Sequence, residues 1–157
     1  MYGELIPIDP SRLAALEEAA GGLPISVKAV VVCRGRILLL RQSDGRWELP
    51  GGRYDDEDAT LMDCLEREIA EETGLAPTVL GVLDHWVRVK ANGRRRFVID
   101  FLATADVAPD PANIRLSCEH DRVLFLAPGM PPPEPLLKGY REVVARVGRM
   151  LSGVAAT

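Results

Sequence analysis

The segment from Asp58 to Leu75 places the strongest condition on the fold. At about 100° per residue, Leu61, Leu65, Glu68 and Glu72 fall on one narrow helical stripe, with Cys64 and Glu71 beside it. The spacing predicts a helix over 58–72 that begins apolar and ends acidic, closed by Thr73-Gly74. Glycine suits that closing position because it takes the left-handed conformation without a steric penalty. Glu68 lies four residues before Glu72 and three before Glu71, so three carboxylates share one patch. Each such pair repels by roughly 0.2–0.5 kcal/mol. The helix dipole adds to this cost, since a C-terminal turn favours Lys, Arg or His and only Arg67 lies close. A solvated acidic face is the simplest account of the patch. A bound hard cation is the alternative, because Mg²⁺ takes oxygen ligands and completes its shell with water and phosphate. Pro50-Gly51-Gly52, just upstream, favours the cation: glycines allow close backbone approach and leave carbonyls and amides free to point inward.

The remaining elements follow from pattern and punctuation. Residues 9–20 read as a short helix capped near Asp9 or Ser11 and stopped by Gly21-Gly22. VKAVVVC and RILLL read as two strands joined by a tight turn at Arg34-Gly35, and Trp47-Glu48-Leu49 as a third, short strand. Two longer strands, 79–90 and 95–105, flank Ala91-Asn92-Gly93, where Asn-Gly is a strong hairpin signal. A loop over 106–121 leads to a strand at 122–127, and Pro131-Pro132-Pro133 to a final helix at 135–151. That helix carries Leu136, Leu137, Tyr140, Val143, Val144, Val147 and Leu151 at helical spacing, fit to dock on the sheet or to form a dimer contact. Regular βα alternation is too sparse for a doubly wound sheet, so the expected class is α/β (α+β), a sandwich of helices around a sheet.

Composition narrows the function classes. A chain of 157 residues supports one core rather than two, so a single domain over 1–157 is expected, with 1–22 as an N-terminal helical extension. The net charge of −4 argues against broad nucleic-acid binding. Cys33, Cys64 and Cys118 form no CxxC pair, so neither a zinc pattern nor a disulfide framework is expected. Cys33 and Cys64 read as small packed residues. No apolar run reaches the length of a membrane span, and Glu4 and Asp9 stand where a leader would need positive charge. The expected setting is soluble, reducing and cytoplasmic, without membrane or nucleic-acid partners.

Taken together, these residues resemble the Nudix box. The family pattern is a glycine, five residues, an acid, seven residues, then Arg-Glu-apolar-x-Glu-Glu-x-Gly-apolar. Here Gly52 is followed by Asp58 and then by Arg67-Glu68-Ile69-Ala70-Glu71-Glu72-Thr73-Gly74-Leu75, so the second half matches at every fixed position. The first half departs twice: an aspartate replaces the usual glutamate, and the spacing to Arg67 is one residue longer. Asp58 and Glu57 are both candidates for the first acidic position. Trp47 to Gly52 and the Leu38-Leu39-Leu40-Arg41 strand are similar to the family's lead-in, and Glu119-His120-Asp121 to a later landmark.

The resemblance implies an α/β/α sandwich around a mixed sheet. It also implies hydrolysis of the pyrophosphate bond in a nucleoside diphosphate linked to another moiety, a small-molecule substrate. It implies that Glu68, Glu71, Glu72 and the carbonyl of Gly51 hold Mg²⁺, with Mn²⁺ as a substitute. Arg67 would orient the glutamates by charge-assisted hydrogen bonds. Glu68 and Glu119 are rival general bases. Arg41, Arg53, Trp86, Arg88 and Arg96 are the substrate-side candidates. For the arginines the alternative is a solvated surface charge, and for Trp86 a place in the core. The chain lacks the Ser-Gln-Pro-Trp stretch of NADH pyrophosphatases, the downstream proline of ADP-ribose pyrophosphatases and the tyrosine of dinucleoside polyphosphate hydrolases, so the resemblance assigns no substrate. The rival reading is a Nudix-like nucleotide sensor without turnover, a class that usually loses box glutamates; here all three are present. A monomer and a homodimer both fit.

Overall fold

The computed structural model describes residues 5–156. Residues 1–4 of the expected N-terminal extension, including Glu4, lie outside the described residues, as does residue 157. The chain order is α1 (Pro10–Ala19), β1 (Ile25–Cys33), β2 (Arg36–Gln42), β3 (Trp47–Glu48), β4 (Gly51–Arg53), α2 (Leu61–Thr73), β5 (Thr78–Val89), β6 (Arg95–Ala105), β7 (His120–Leu126) and α3 (Lys138–Ala156). The strands form one mixed sheet in which β1 runs parallel to β6 and every other pairing is antiparallel. This is the α+β architecture, helices on both faces of a mixed sheet, that the box implied.

One departure from a regular sheet creates the site. β1 and β2 turn at Arg34-Gly35, where both residues have positive φ, as a twisted two-residue hairpin requires. They pair only next to that turn, at Val32–Ile37 and Cys33–Arg36, and then splay apart. Residues 47–53 fill the gap: β3 pairs with β2 through Leu40 and Arg41, and β4 pairs with β1 through Ser26, Val27 and Lys28. Gly51 crosses this gap at φ 139°, and a Cβ there would lie 2.8 Å from the Cα of Lys28. Only glycine fits a crossing that close to a neighbouring backbone.

Each face of the sheet buries its own core. Val27, Ala29, Val31 and Cys33 of β1 face α1 and α2, while Val30 and Val32 face Tyr140, Val143, Val144 and Val147 of α3. The period-2 alternation of a strand, apolar on both sides, makes β1 buried at every residue. The apolar stripe of the last helix thus docks on the sheet.

Several predicted boundaries shift. α2 starts at Leu61, not at residue 58, because Thr60 caps it by accepting from the amide of Asp63, leaving Asp58 in the preceding loop. α3 starts at Lys138, because the Trp47 amide donates to Pro135 at 2.9 Å and Leu136 bridges to Trp47, which keeps that stretch extended. The strand expected at 122–127 runs His120–Leu126, carried two residues further by pairing of His120 with Gln42.

Candidate active site

A cavity of about 390 Å³ opens at the splay between β1 and β2. Carboxylates of Glu68 and Glu72 from α2, Glu48 from β3 and Glu119 from the loop before β7 line one side. Arg53, Arg88 and Arg96, from β4, β5 and β6, line the other, with Lys28 of β1 at the floor.

Local chemistry fixes the helix end. Gly74 takes the left-handed conformation at φ 76° and its amide bonds back to Ala70. Glu72 is turned inward and accepts from the Gly51 amide at 2.9 Å. Burial, opposed by Lys28 and that amide, pushes the Glu72 carboxyl up to about 7. Burial also raises Glu68, with Arg67 working against the shift. Both glutamates therefore face the cavity with their charge incompletely neutralised, and hard oxygen donors of this kind suit Mg²⁺ or Mn²⁺. Glu71 is different: it lies outside the cavity on the exposed side of α2, within 3.3 Å of Arg67 Nη1.

Arg67 ties this helix to the loop before it. Its Nε and Nη2 donate to the two oxygens of Asp58 at 2.9 and 3.0 Å, and its Nη1 reaches Glu68 at 3.2 Å. Hydrogen bonds from Arg67 bring the Asp58 carboxyl down to about 2. Asp58, not the exposed Glu57, thus forms the planar two-pronged pair with the box arginine.

On the basic side, Arg96 donates to Ser26 Oγ at 3.3 Å. Among the described residues no carboxylate pairs with Arg53, Arg88 or Arg96. Burial and the neighbouring Arg53 and Arg88 lower the pKa of Arg96, as expected where like charges crowd. Two substrate-side candidates lie elsewhere. Arg41 makes a two-pronged pair with Asp121 at 2.8 and 3.0 Å and does not line the cavity. Trp86 is half-buried, edge-on to Tyr140 with centroids 5.2 Å apart, and its Nε1 donates to Asp100 at 2.8 Å. Trp86 packs against the core on the α3 side and does not line the cavity.

Sequence reasoning missed Lys28, Glu48, Gln42 and Tyr140, all of which line the cavity. The signal for Lys28 was available: it is the one charge in a mostly apolar strand, ISVKAVVVC. Glu48 accepts from Gln42 at 2.6 Å, contacts His120 at 2.8 Å and lies 3.6 Å from Lys28. Burial opposes its charge, but His120, Lys28 and Gln42 together hold its carboxyl down at about 2. Glu48, Glu72 and His120 offer ligand atoms within 4.8 Å of one another, a second grouping able to hold a metal ion.

The NUDIX domain family model matches residues 22–147. The chain belongs to the Nudix family. Among solved structures, it is similar to a MutT NUDIX hydrolase from Burkholderia pseudomallei, with 28% identity, TM-score 0.63, and coverage of 79% of this chain and 97% of that one. It is equally similar to a MutT protein from Methanosarcina mazei Go1, with 28% identity, TM-score 0.66, and coverage of 81% and 94%. The NUDIX domain of Shewanella oneidensis NrtR, complexed with ADP ribose, shares the fold at 19% identity and TM-score 0.66, over 92% of this chain and 99% of that one. No match is found among curated proteins. As a Nudix hydrolase, the protein is a pyrophosphohydrolase.

Proposed function

We propose that this Nudix protein hydrolyses, with Mg²⁺ or Mn²⁺, the pyrophosphate bond of a nucleoside diphosphate linked to another moiety. The observation that carries the reading is the split charge of the cavity: the buried Glu48 and Glu72 with Glu68 on one side, and on the other three arginines that pair with no carboxylate among the described residues. A pyrophosphate accompanied by divalent cations complements both sides at once. Glu68, Glu72 and the Gly51 carbonyl would hold the metal, with Glu71 joining from the outer side of α2. The ion, when bound, offsets phosphate charge and lowers the pKa of the attacking water.

The protein's own groups do the rest. Arg53, Arg88 and Arg96 bind phosphate oxygens and orient the scissile bond. Arg67, clamped by Asp58, holds Glu68 and Glu71 in place. Glu68 and Glu119, both lining the cavity, are the carboxylates placed to take the proton from water.

The test is phosphate or pyrophosphate release with Mg²⁺ or Mn²⁺ across nucleoside triphosphates, nucleotide sugars, ADP-ribose and dinucleoside polyphosphates. Glu72→Gln should lose at least 100-fold in kcat/KM with its fold intact. Unchanged turnover in that variant refutes the metal assignment. Tight binding of one compound without turnover of any would instead make the protein a nucleotide sensor.

A further inference from the structure

The Glu48–Glu72–His120 cluster contains two carboxylates and an imidazole, a donor set suited to divalent transition metals. The same space already holds a cation. The ammonium of Lys28 donates to the carbonyls of Leu49 and Gly51, each at 3.2 Å, and lies 3.6 Å from Oε2 of Glu48. It has little room to leave. β1 is hydrogen-bonded to β4 on one edge and to β6 on the other, with Lys28 opposite both Gly51 and Asp100. The ring of Tyr140 stands 6.0 Å from the ammonium and covers the α3 side.

The would-be ligands are also committed. Glu48 gives one oxygen to His120 and the other to Gln42. The His120 nitrogen that faces the cluster is the one engaged with Glu48, and the ring is buried. A divalent ion seated among these groups would share a poorly solvated space with a fixed positive charge, where repulsion is only weakly screened.

We propose that Lys28 is the built-in cation of this end of the cavity, keeping divalent ions from bridging Glu48 and His120 to Glu72 and confining them to the side where Glu72 faces Glu68. The role of the Glu68 side rests on the metal-dependent reading above. Lys28 is thus a residue that sets where metal sits, through charge and through its grip on the Leu49–Gly51 crossing.

Metal binding without substrate tests this on the full chain, by equilibrium dialysis with Zn²⁺ and by Mn²⁺ electron paramagnetic resonance. His120→Gln in the otherwise native protein should bind both ions within twofold of the parent. Lys28→Met should take up one additional Zn²⁺ per chain, and Lys28→Met combined with His120→Gln should lose it. A tenfold or greater loss of affinity in His120→Gln alone overturns the proposal. So does equal stoichiometry in the parent and in folded Lys28→Met. If Lys28→Met fails to fold, the His120→Gln measurement decides by itself. Glu68→Gln separates this inference from the reading it rests on. Full Mg²⁺-dependent turnover in Glu68→Gln would sink the metal-dependent reading, whatever the Lys28 and His120 variants show.

Discussion

Adjacent glycines at the sheet gap should fail in different ways when replaced by alanine. Gly52 has no positive φ, so alanine is conformationally acceptable there. Its Cβ, however, would lie 2.6 Å from Oε1 of Glu68, where ordinary contact begins at 3.4 Å. The carboxylate is the free end of a flexible side chain, so it can retreat, and it must do so by about 1 Å. The fold therefore survives Gly52→Ala, with Tm lowered by no more than a few degrees, while Glu68 leaves its place over the cavity. Misplacement of a catalytic group by about 1 Å costs on the order of 100-fold in rate, or ~2.7 kcal/mol of transition-state stabilisation. Gly51→Ala meets backbone instead: its Cβ would lie 2.8 Å from Lys28 Cα, at a φ of 139° that side chains rarely adopt. That variant should lose several kcal/mol of stability and yield little folded protein. Melting by circular dichroism alongside kcat/KM under saturating Mg²⁺ separates the two. Gly52→Ala retaining native kcat/KM would refute the placement of Glu68 in catalysis. A stable Gly51→Ala would refute the account of the crossing.

Asp100 supplies a pH-dependent test unrelated to catalysis. Burial pushes its carboxyl up to about 7, and its Oδ1 has no hydrogen-bond partner among the described residues. With the folded-state pKa above the unfolded one, the native state holds the extra proton, so this site's contribution is fully present below about pH 4 and is lost as pH rises through 7. Asp100→Asn does not titrate, and its Tm relative to the parent should rise between pH 5 and pH 8, the two pH units from 5 to 7 amounting to as much as ~3 kcal/mol in stability. A constant difference across that range would show that Asp100 titrates normally. On the basic side, Arg88→Gln and Arg96→Gln should each raise KM about tenfold, ~1.4 kcal/mol, with a smaller change in kcat. Steady-state kinetics on the best substrate of the release screen checks this, and an unchanged KM in both would remove the arginines from substrate binding.

What local sequence dictates, the amino-acid order by itself determined. The apolar-to-acidic stripe on α2, its closing Gly74, the positive-φ turn at Arg34-Gly35 and the Asn92-Gly93 hairpin depend on contacts within a few residues. Turn chemistry and helical period express those directly. The box glutamates were legible for the same reason, since one helix brings them together. Glu71 shows where this stops: helical spacing puts it beside Glu68, Glu72 and Arg67, but only the docking of α2 left Glu68 and Glu72, and not Glu71, lining the cavity.

The tertiary structure decided everything that joins distant segments. Arg53, Arg88 and Arg96 meet because β4 and β6 flank β1 while β5 extends the sheet, an outcome of strand register. Arg41 looked equally available in sequence, yet its strand register carries it to Asp121. Lys28 met Glu48 only because β1 and β2 splay and residues 47–53 fill the gap between them. Residue spacing encodes which side chains share a face. Which faces then enclose one cavity depends on how the strands and helices pack against each other, and that packing placed a lysine among the glutamates.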